Sequence, residues 1–181
     1  MKVYIAILRG INVSGQKKIK MQDLHEQLKN LNFYNTRTYI QSGNIIFESE
    51  ENNSDKIKNS IENCIQDGFG FDIPVIIRTK GEFKEIIDRN PFMKRPQIKL
   101  DKLHVTFLSN IPELDKLSDL KNVNFLPDEF VISGKEVYIY CPDGYGKTKL
   151  NNTFFEKKLA QNATTRNWKT VNKLLEITNQ E

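Results

Sequence analysis

Tyr39-Ile40-Gln41-Ser42-Gly43 and Phe130-Val131-Ile132-Ser133-Gly134 carry the same pattern about ninety residues apart. In each, an aromatic and β-branched run meets Ser-Gly, the chemistry of a strand entering a tight hairpin turn. A repeat of that period means one supersecondary unit used twice. The elements around the two hairpins are therefore read as two copies of one arrangement.

Outward from the first hairpin, Val3–Leu8 is a short apolar run with the character of a buried strand. Met21, Leu24, Leu28 and Leu31 recur at the spacing of one helix face. Thr36–Ile40 and Ile45–Glu48 are the hairpin strands, with Gly43-Asn44 expected to supply the left-handed turn residues. Asn53 or Ser54 caps a helix carrying Ile57, Ile61, Cys64 and Ile65, and Phe71–Arg78 closes the unit as a strand. The order β-α-β-β-α-β is the split βαβ, or ferredoxin-like, unit.

The second copy follows a linking helix at Glu82–Arg89 that Asn90-Pro91 ends. Leu103–Leu108 is its first strand, Glu113–Leu120 its first helix, Glu129–Ile132 with Glu136–Tyr140 its hairpin, and Leu150–Leu159 its second helix. Its last strand is the weak point, because the residues after Ala160 are few and polar. A terminal helix turns Trp168, Val171, Leu174 and Leu175 inward. The expected fold is α+β: two ferredoxin-like subdomains with antiparallel sheets and a C-terminal helix. The expected boundaries are 1–79, a linking helix and crossing over 80–101, and 102–181, packed as one compact unit.

Composition sets the outer limits. The 181 residues are 38% hydrophobic and 28% charged, ordinary for a folded chain with a full core. No apolar run approaches the roughly 20 residues that span a bilayer, and the N-terminal run ends at Arg9 without a secretory pattern. The expectation is a cytoplasmic protein without membrane association. Cys64 and Cys141 lie far from each other and from His25 and His104, so neither a metal site nor a cofactor is expected. The formal charge of +4 resolves into +5 over residues 1–40, −5 over 41–143 and +4 over 144–181. If the fold brings the ends together, they form one basic face.

Candidate binding residues sit in loops at strand ends. Gly144-Tyr145-Gly146-Lys147-Thr148 resembles the end of a P-loop, but Cys141 stands where that motif needs its first glycine. What remains is an anion-binding reading for Lys147 and Lys149. Arg9 directly follows an apolar strand in the loop Arg9-Gly10-Ile11-Asn12-Val13-Ser14-Gly15, where Asn12 adds an amide. Gln41, Ser42 and Asn44 offer polar groups across the hairpin. Arg166 precedes the terminal helix, where a cation opposes the helix dipole and an anionic partner would compensate; Asn167 beside it is a second polar candidate. Arg9, Lys147, Lys149 and Arg166 are expected to converge on one anion-binding cleft. No nucleophile or acid–base pair stands at an informative spacing, so a catalytic role has no named residue.

Three strings also carry a resemblance. Leu8-Arg9-Gly10-Ile11-Asn12-Val13, Thr38-Tyr39-Ile40-Gln41-Ser42-Gly43-Asn44 and Thr164-Thr165-Arg166-Asn167-Trp168 resemble the signature strings of a bacterial family, domain of unknown function 1697, over the whole chain. The resemblance implies a pair of ferredoxin-like subdomains and brings no activity. Where the family has Gly-Gly after the valine, this chain has Ser14-Gly15.

Three classes of function are compatible with these residues. One is an anion-binding module, with a small anionic molecule or single-stranded nucleic acid as partner. The second is an enzyme acting on a small phosphorylated or carboxylated metabolite. The third is a structural or interaction role in which the motif strings tie the subdomains together.

Overall fold

The apolar run that opens the chain becomes the second strand from one edge of a sheet. A computed structural model describes residues 1–120 and 123–180. Strand β1 (Lys2–Leu8) pairs antiparallel with β3 (Asn44–Ser49) on one side and β4 (Val75–Thr79) on the other; β2 (Tyr34–Tyr39) lies beyond β3. The order is β2-β3-β1-β4. Helices α1 (Met21–Leu28) and α2 (Ser54–Phe69) pack on one face of this sheet. Tyr4, Ala6 and Leu8 of β1 meet Leu24 and Leu28 of α1 and Ile57, Ile61 and Ile65 of α2. The alternate residues Ile5 and Ile7 point to the opposite face and are also buried. Burial on both faces explains why the strand reads as a continuous apolar run rather than an alternating one.

The second sheet repeats the first. Strand β5 (Leu103–Leu108) pairs antiparallel with β7 (Glu136–Tyr140) and β8 (Ala163–Asn167), and β6 (Glu129–Ser133) completes the order β6-β7-β5-β8. Helix α3 (Lys80–Asp88) links the copies. The short α4 (Leu114–Ser118) and α5 (Asn152–Leu159) cover one face, and α6 (Trp168–Ile177) ends the chain. Two four-stranded antiparallel sheets in this connectivity are the duplicated ferredoxin-like fold that the sequence repeat implies. The chain clusters into two compact units. Met1–Lys84 joins with the C-terminal segment from Leu174, and Glu85–Lys173 forms the other.

Local signals explain most boundaries. The Asn53 side chain accepts from the amides of Asp55 and Lys56 at 2.9 and 3.2 Å to cap α2, and Asn151 does the same for α5. Trp168 is buried with Val171 and Leu174, so it is a core residue. Strand β8 forms despite its polarity, because tertiary contacts satisfy its hydroxyls. Thr165 Oγ1 lies 2.7 Å from Thr106 Oγ1 and 2.6 Å from Asn152 Oδ1. A half-buried threonine bonded in this way costs little in a strand, and its β-branch favours one.

The hairpin turns differ in one detail from expectation. Gly43 and Gly134 both adopt left-handed backbone, at φ 78° and 61°, as the shared Ser-Gly text requires. The other left-handed residue of the first turn is Ile40 at φ 51°, not Asn44. Asn44 instead starts β3 with its side chain buried, donating to the Tyr39 carbonyl at 2.9 Å and to Ser42 Oγ at 3.2 Å. That amide stabilises the turn that puts a β-branched residue in an unfavourable region.

Candidate functional site

In the first unit, the polar loop residues are engaged with backbone. Asn12 (φ 55°) donates from Nδ2 to the carbonyls of Ile19 and Gln41, both at 2.8 Å, and accepts the Ile19 amide at 2.9 Å. One side chain thus fastens the loop after β1 to itself and to the β2–β3 turn. Ile11 and Ile19 anchor the same loop in the core. Lys17 Nζ closes it from outside on the Asp72 carbonyl at 2.6 Å. Arg9 is half-buried at the head of the loop, its amide bonded to the Pro74 carbonyl at 2.9 Å. Gln41 is exposed and Ser42 half-buried beside it.

In the second unit, the P-loop-like string becomes a turn and a single 3₁₀ segment over Tyr145–Lys147, not a phosphate-cradling loop into a helix. The helix begins later, at Asn152, behind its own asparagine cap. Lys147 and Lys149 nevertheless line one cleft of about 330 Å³ with Asp143 and the segment from Asn124 to Asp128. The wall opposite the lysines is held by Asn124 Oδ1 accepting the Leu126 amide at 3.0 Å and Asp128 N donating to the Phe125 carbonyl at 2.9 Å. Phe125 packs edge-on against Phe154 at 5.1 Å, while Leu126 is 72% exposed at the rim. Among the described residues, neither lysine is in an ion pair or hydrogen bond through its ammonium, although Asp128 and Asp143 share the cleft.

Arg166 lies elsewhere in that unit. It sits in β8 opposite Val105, only 6% exposed, and Nη1 donates to Thr164 Oγ1 at 3.0 Å and to the Thr165 carbonyl at 2.9 Å. Ala163 faces the helices, so Arg166, three residues on, faces the other side of the sheet. Asn167 caps α6, with Oδ1 accepting the Thr170 amide at 2.8 Å. Arg9 therefore belongs to the first unit, and Lys147, Lys149 and Arg166 to the second.

One buried cation escaped the sequence reading. Arg78 of β4 is 3% exposed, with Nη1 donating to the Ile77 carbonyl at 2.9 Å. It is the counterpart of Arg166 by register. Leu8 pairs with Val75 and Ile5 with Arg78, just as Leu108 pairs with Ala163 and Val105 with Arg166. The signal was present in the text, since Val75-Ile76-Ile77-Arg78-Thr79 and Ala163-Thr164-Thr165-Arg166-Asn167 each carry arginine fourth. It became visible only once β8 was known to be a strand.

The two thiols and His104 are packing groups. Burial pushes the Cys141 thiol up to about 11, and Cys64, half-buried, donates to the Gln27 carbonyl at 3.4 Å with its pKa also raised by burial. Thiols so shifted stay protonated at neutral pH and are poor nucleophiles. His104 stacks on Tyr145 at 4.6 Å, and burial holds its pKa below the ordinary value of about 6.5. As pH falls, the unfolded chain takes up this proton first. The stability held by neutral His104 is thus complete above about pH 6.5 and is lost as pH falls through the depressed folded value. Urea titrations should show a wild-type midpoint that drops between about pH 7 and pH 5, with a smaller drop for His104→Phe, which keeps the stack. An equal drop in both proteins would remove His104 as the source. Among the described residues, no cluster of histidine, cysteine or carboxylate is placed to hold a metal, and no helix is long and apolar enough to cross a membrane.

Residues 1–138 match the model of a family described as Protein of unknown function (DUF1697). The chain belongs to this family. A search of curated proteins yields no match. Among solved structures, the conserved bacterial protein SP0830 from Streptococcus pneumoniae is 21% identical, with 99% of each chain covered and a TM-score of 0.78. At that identity the likeness concerns the fold. The DUF1697 match takes in the Asn12 loop, the first hairpin and Arg78, and ends before Asp143, Lys147 and Lys149.

Proposed function

We propose that the chain is an anion-binding module whose ligand is a small phosphorylated or carboxylated molecule held by Lys147 and Lys149. The observation that carries this reading is the shared cleft, in which two ammonium groups stand without an ion-pair partner among the described residues. Such groups gain most from an incoming anion, because no internal ion pair has to be broken first.

The acidic residues narrow the ligand class. Asp128 and Asp143 line the same cleft, so a chain of phosphates would meet repulsion along with attraction. A compact anion that also carries hydroxyl or amino donors satisfies both kinds of group, with Asn124 as a further amide. A volume of about 330 Å³ suits a metabolite rather than a polymer. The first-unit strings fit the structural role instead, since Asn12 and Asn44 are bonded to backbone across the loop and turn.

Thermal unfolding with glucose 6-phosphate, AMP, citrate, inorganic phosphate and a short oligothymidylate tests the reading. A bound metabolite at a hundred times its dissociation constant adds about 2.7 kcal/mol. That corresponds to a rise of roughly 5–10 °C in midpoint for a chain of this size. The rise should vanish in Lys147→Ala/Lys149→Ala. A response to oligothymidylate alone, steeply weakened by salt, would move the assignment to nucleic acid. No response from any of the five would end the proposal.

A further inference from the structure

A second cleft, in the first unit and remote in sequence from the lysines, has a different chemistry. It measures about 490 Å³ and lies between the segment after α1, the end of β3 and the outer side of α2. Four asparagines ring it: Asn30 and Asn32 from the segment after α1, and Asn59 and Asn63 one helical turn apart on α2. All four are exposed, and among the described residues none of their side-chain amides makes a hydrogen bond within the chain. Asparagines elsewhere do structural work, as Asn12, Asn44, Asn53, Asn151 and Asn167 do in loops and caps. These four converge without such a task.

The floor and end wall are built more firmly than an open surface requires. Phe33 lines the cleft and stacks on Phe47 at 4.2 Å, which in turn stacks on Tyr4 at 5.8 Å. Ser49 at the end of β3 is 3% exposed. Its Oγ accepts the Glu51 amide at 3.1 Å, and its hydroxyl proton has no acceptor among the described residues. Tyr4 donates to the Glu51 carbonyl at 3.0 Å, and the Asn53 amide holds the Glu51 carboxylate at 2.8 Å. Lys56 approaches the other carboxylate oxygen at 3.5 Å, leaving the cleft close to neutral.

We infer that this cleft is a binding site for a neutral saccharide, with a sugar ring lying against Phe33 and its hydroxyls shared among the four asparagine amides, Ser49 and Glu51. An amide supplies a donor and an acceptor on one planar group, and each sugar hydroxyl also needs both. The C–H face of the ring finds an apolar surface on Phe33, so burial and hydrogen bonding are met together. An anion would find the single ammonium already occupied by Glu51, and a purely apolar ligand would strip water from four amides without replacing their hydrogen bonds.

The experiment is an amide-resolved NMR titration of the full chain with glucose, N-acetylglucosamine, maltose and cellobiose. At least one sugar should move the Asn59 and Asn63 side-chain resonances and the Ser49 and Phe33 amides in a saturable way. Asn59→Ala/Asn63→Ala should weaken that binding about tenfold or more, the scale of one or two lost hydrogen bonds. Alanine favours helix, so the variant's unfolding midpoint should stay level or rise, separating a binding defect from a folding one. Absence of saturable shifts at these residues for all four sugars overturns the inference, as does unchanged affinity in the double variant. Lys147→Ala/Lys149→Ala should bind sugar as the wild type does, so this result and that for the anion cleft are independent.

Discussion

Gly43→Ala is expected to lower the unfolding free energy by about 2–4 kcal/mol, the range of combined overpacking and backbone strain. Two penalties act at once. The residue sits at φ 78°, where any Cβ is strained, and a Cβ there would come within 2.5 Å of Ile11 Cδ1 and 2.9 Å of Leu8 Cβ. Leu8 cannot withdraw, because its amide is bonded to the Gly43 carbonyl at 2.9 Å and its side chain is in the core. Ile11 is held by the loop that Asn12 fastens. The matched control is Gly134→Ala at the same place in the second hairpin. Its φ is 61°, but nothing lies within 4 Å of an added Cβ. Only the conformational cost of about 1 kcal/mol should remain there. Urea unfolding of both variants measures the difference. Equal losses would mean that backbone strain alone, without the close approach to Leu8, explains the glycine.

The paired arginines give the second large effect. Arg166→Ala and Arg78→Ala should each cost about 2–4 kcal/mol, because a buried guanidinium leaves behind acceptors that lose their donor inside the protein. For Arg166 those include Thr164 Oγ1 and the Thr165 carbonyl; for Arg78, the Ile77 carbonyl. Lysine at either position keeps the charge but loses the planar fork, so it should recover only part of the stability. Lys149→Ala, in the open cleft, should stay within about 0.5 kcal/mol of wild type. This contrast separates a cation that holds the sheet together from one that waits for a ligand. A stable Arg166→Ala protein that no longer responds to any anion would reverse the assignment and return Arg166 to the binding residues.

Both cases show why loop strings were ambiguous in one dimension. Asn12, Gln41 and Ser42 are polar, lie at strand ends and sit close to glycines, which is what a ligand loop requires. It is also what a loop needs when it must bond its own backbone. Asn12 makes a bond of this second kind, reaching the Gln41 carbonyl at 2.8 Å between segments 29 residues apart in sequence. Asn167 likewise serves its own backbone, with Oδ1 capping α6. The asparagines of the first-unit cleft escaped attention for the converse reason. Asn30, Asn32, Asn59 and Asn63 form no string, and only the packing of α1 against α2 brings them to one rim.

Periodicity and turn chemistry are local, and they were enough to establish the α+β class, the β-α-β-β-α-β order and the duplication. The two Ser-Gly hairpins announced that duplication, and both glycines adopt the left-handed backbone it implies. Hydrogen-bond partnership and burial are not local. The tertiary structure alone made a strand of Ala163–Asn167, by giving Thr165 partners on β5 and α5. It aligned Arg78 with Arg166 across the repeat, and it set Lys147 and Lys149 facing Asn124 to Asp128. A residue type states what a side chain can bond to, and only the folded chain determines which of those bonds are already made.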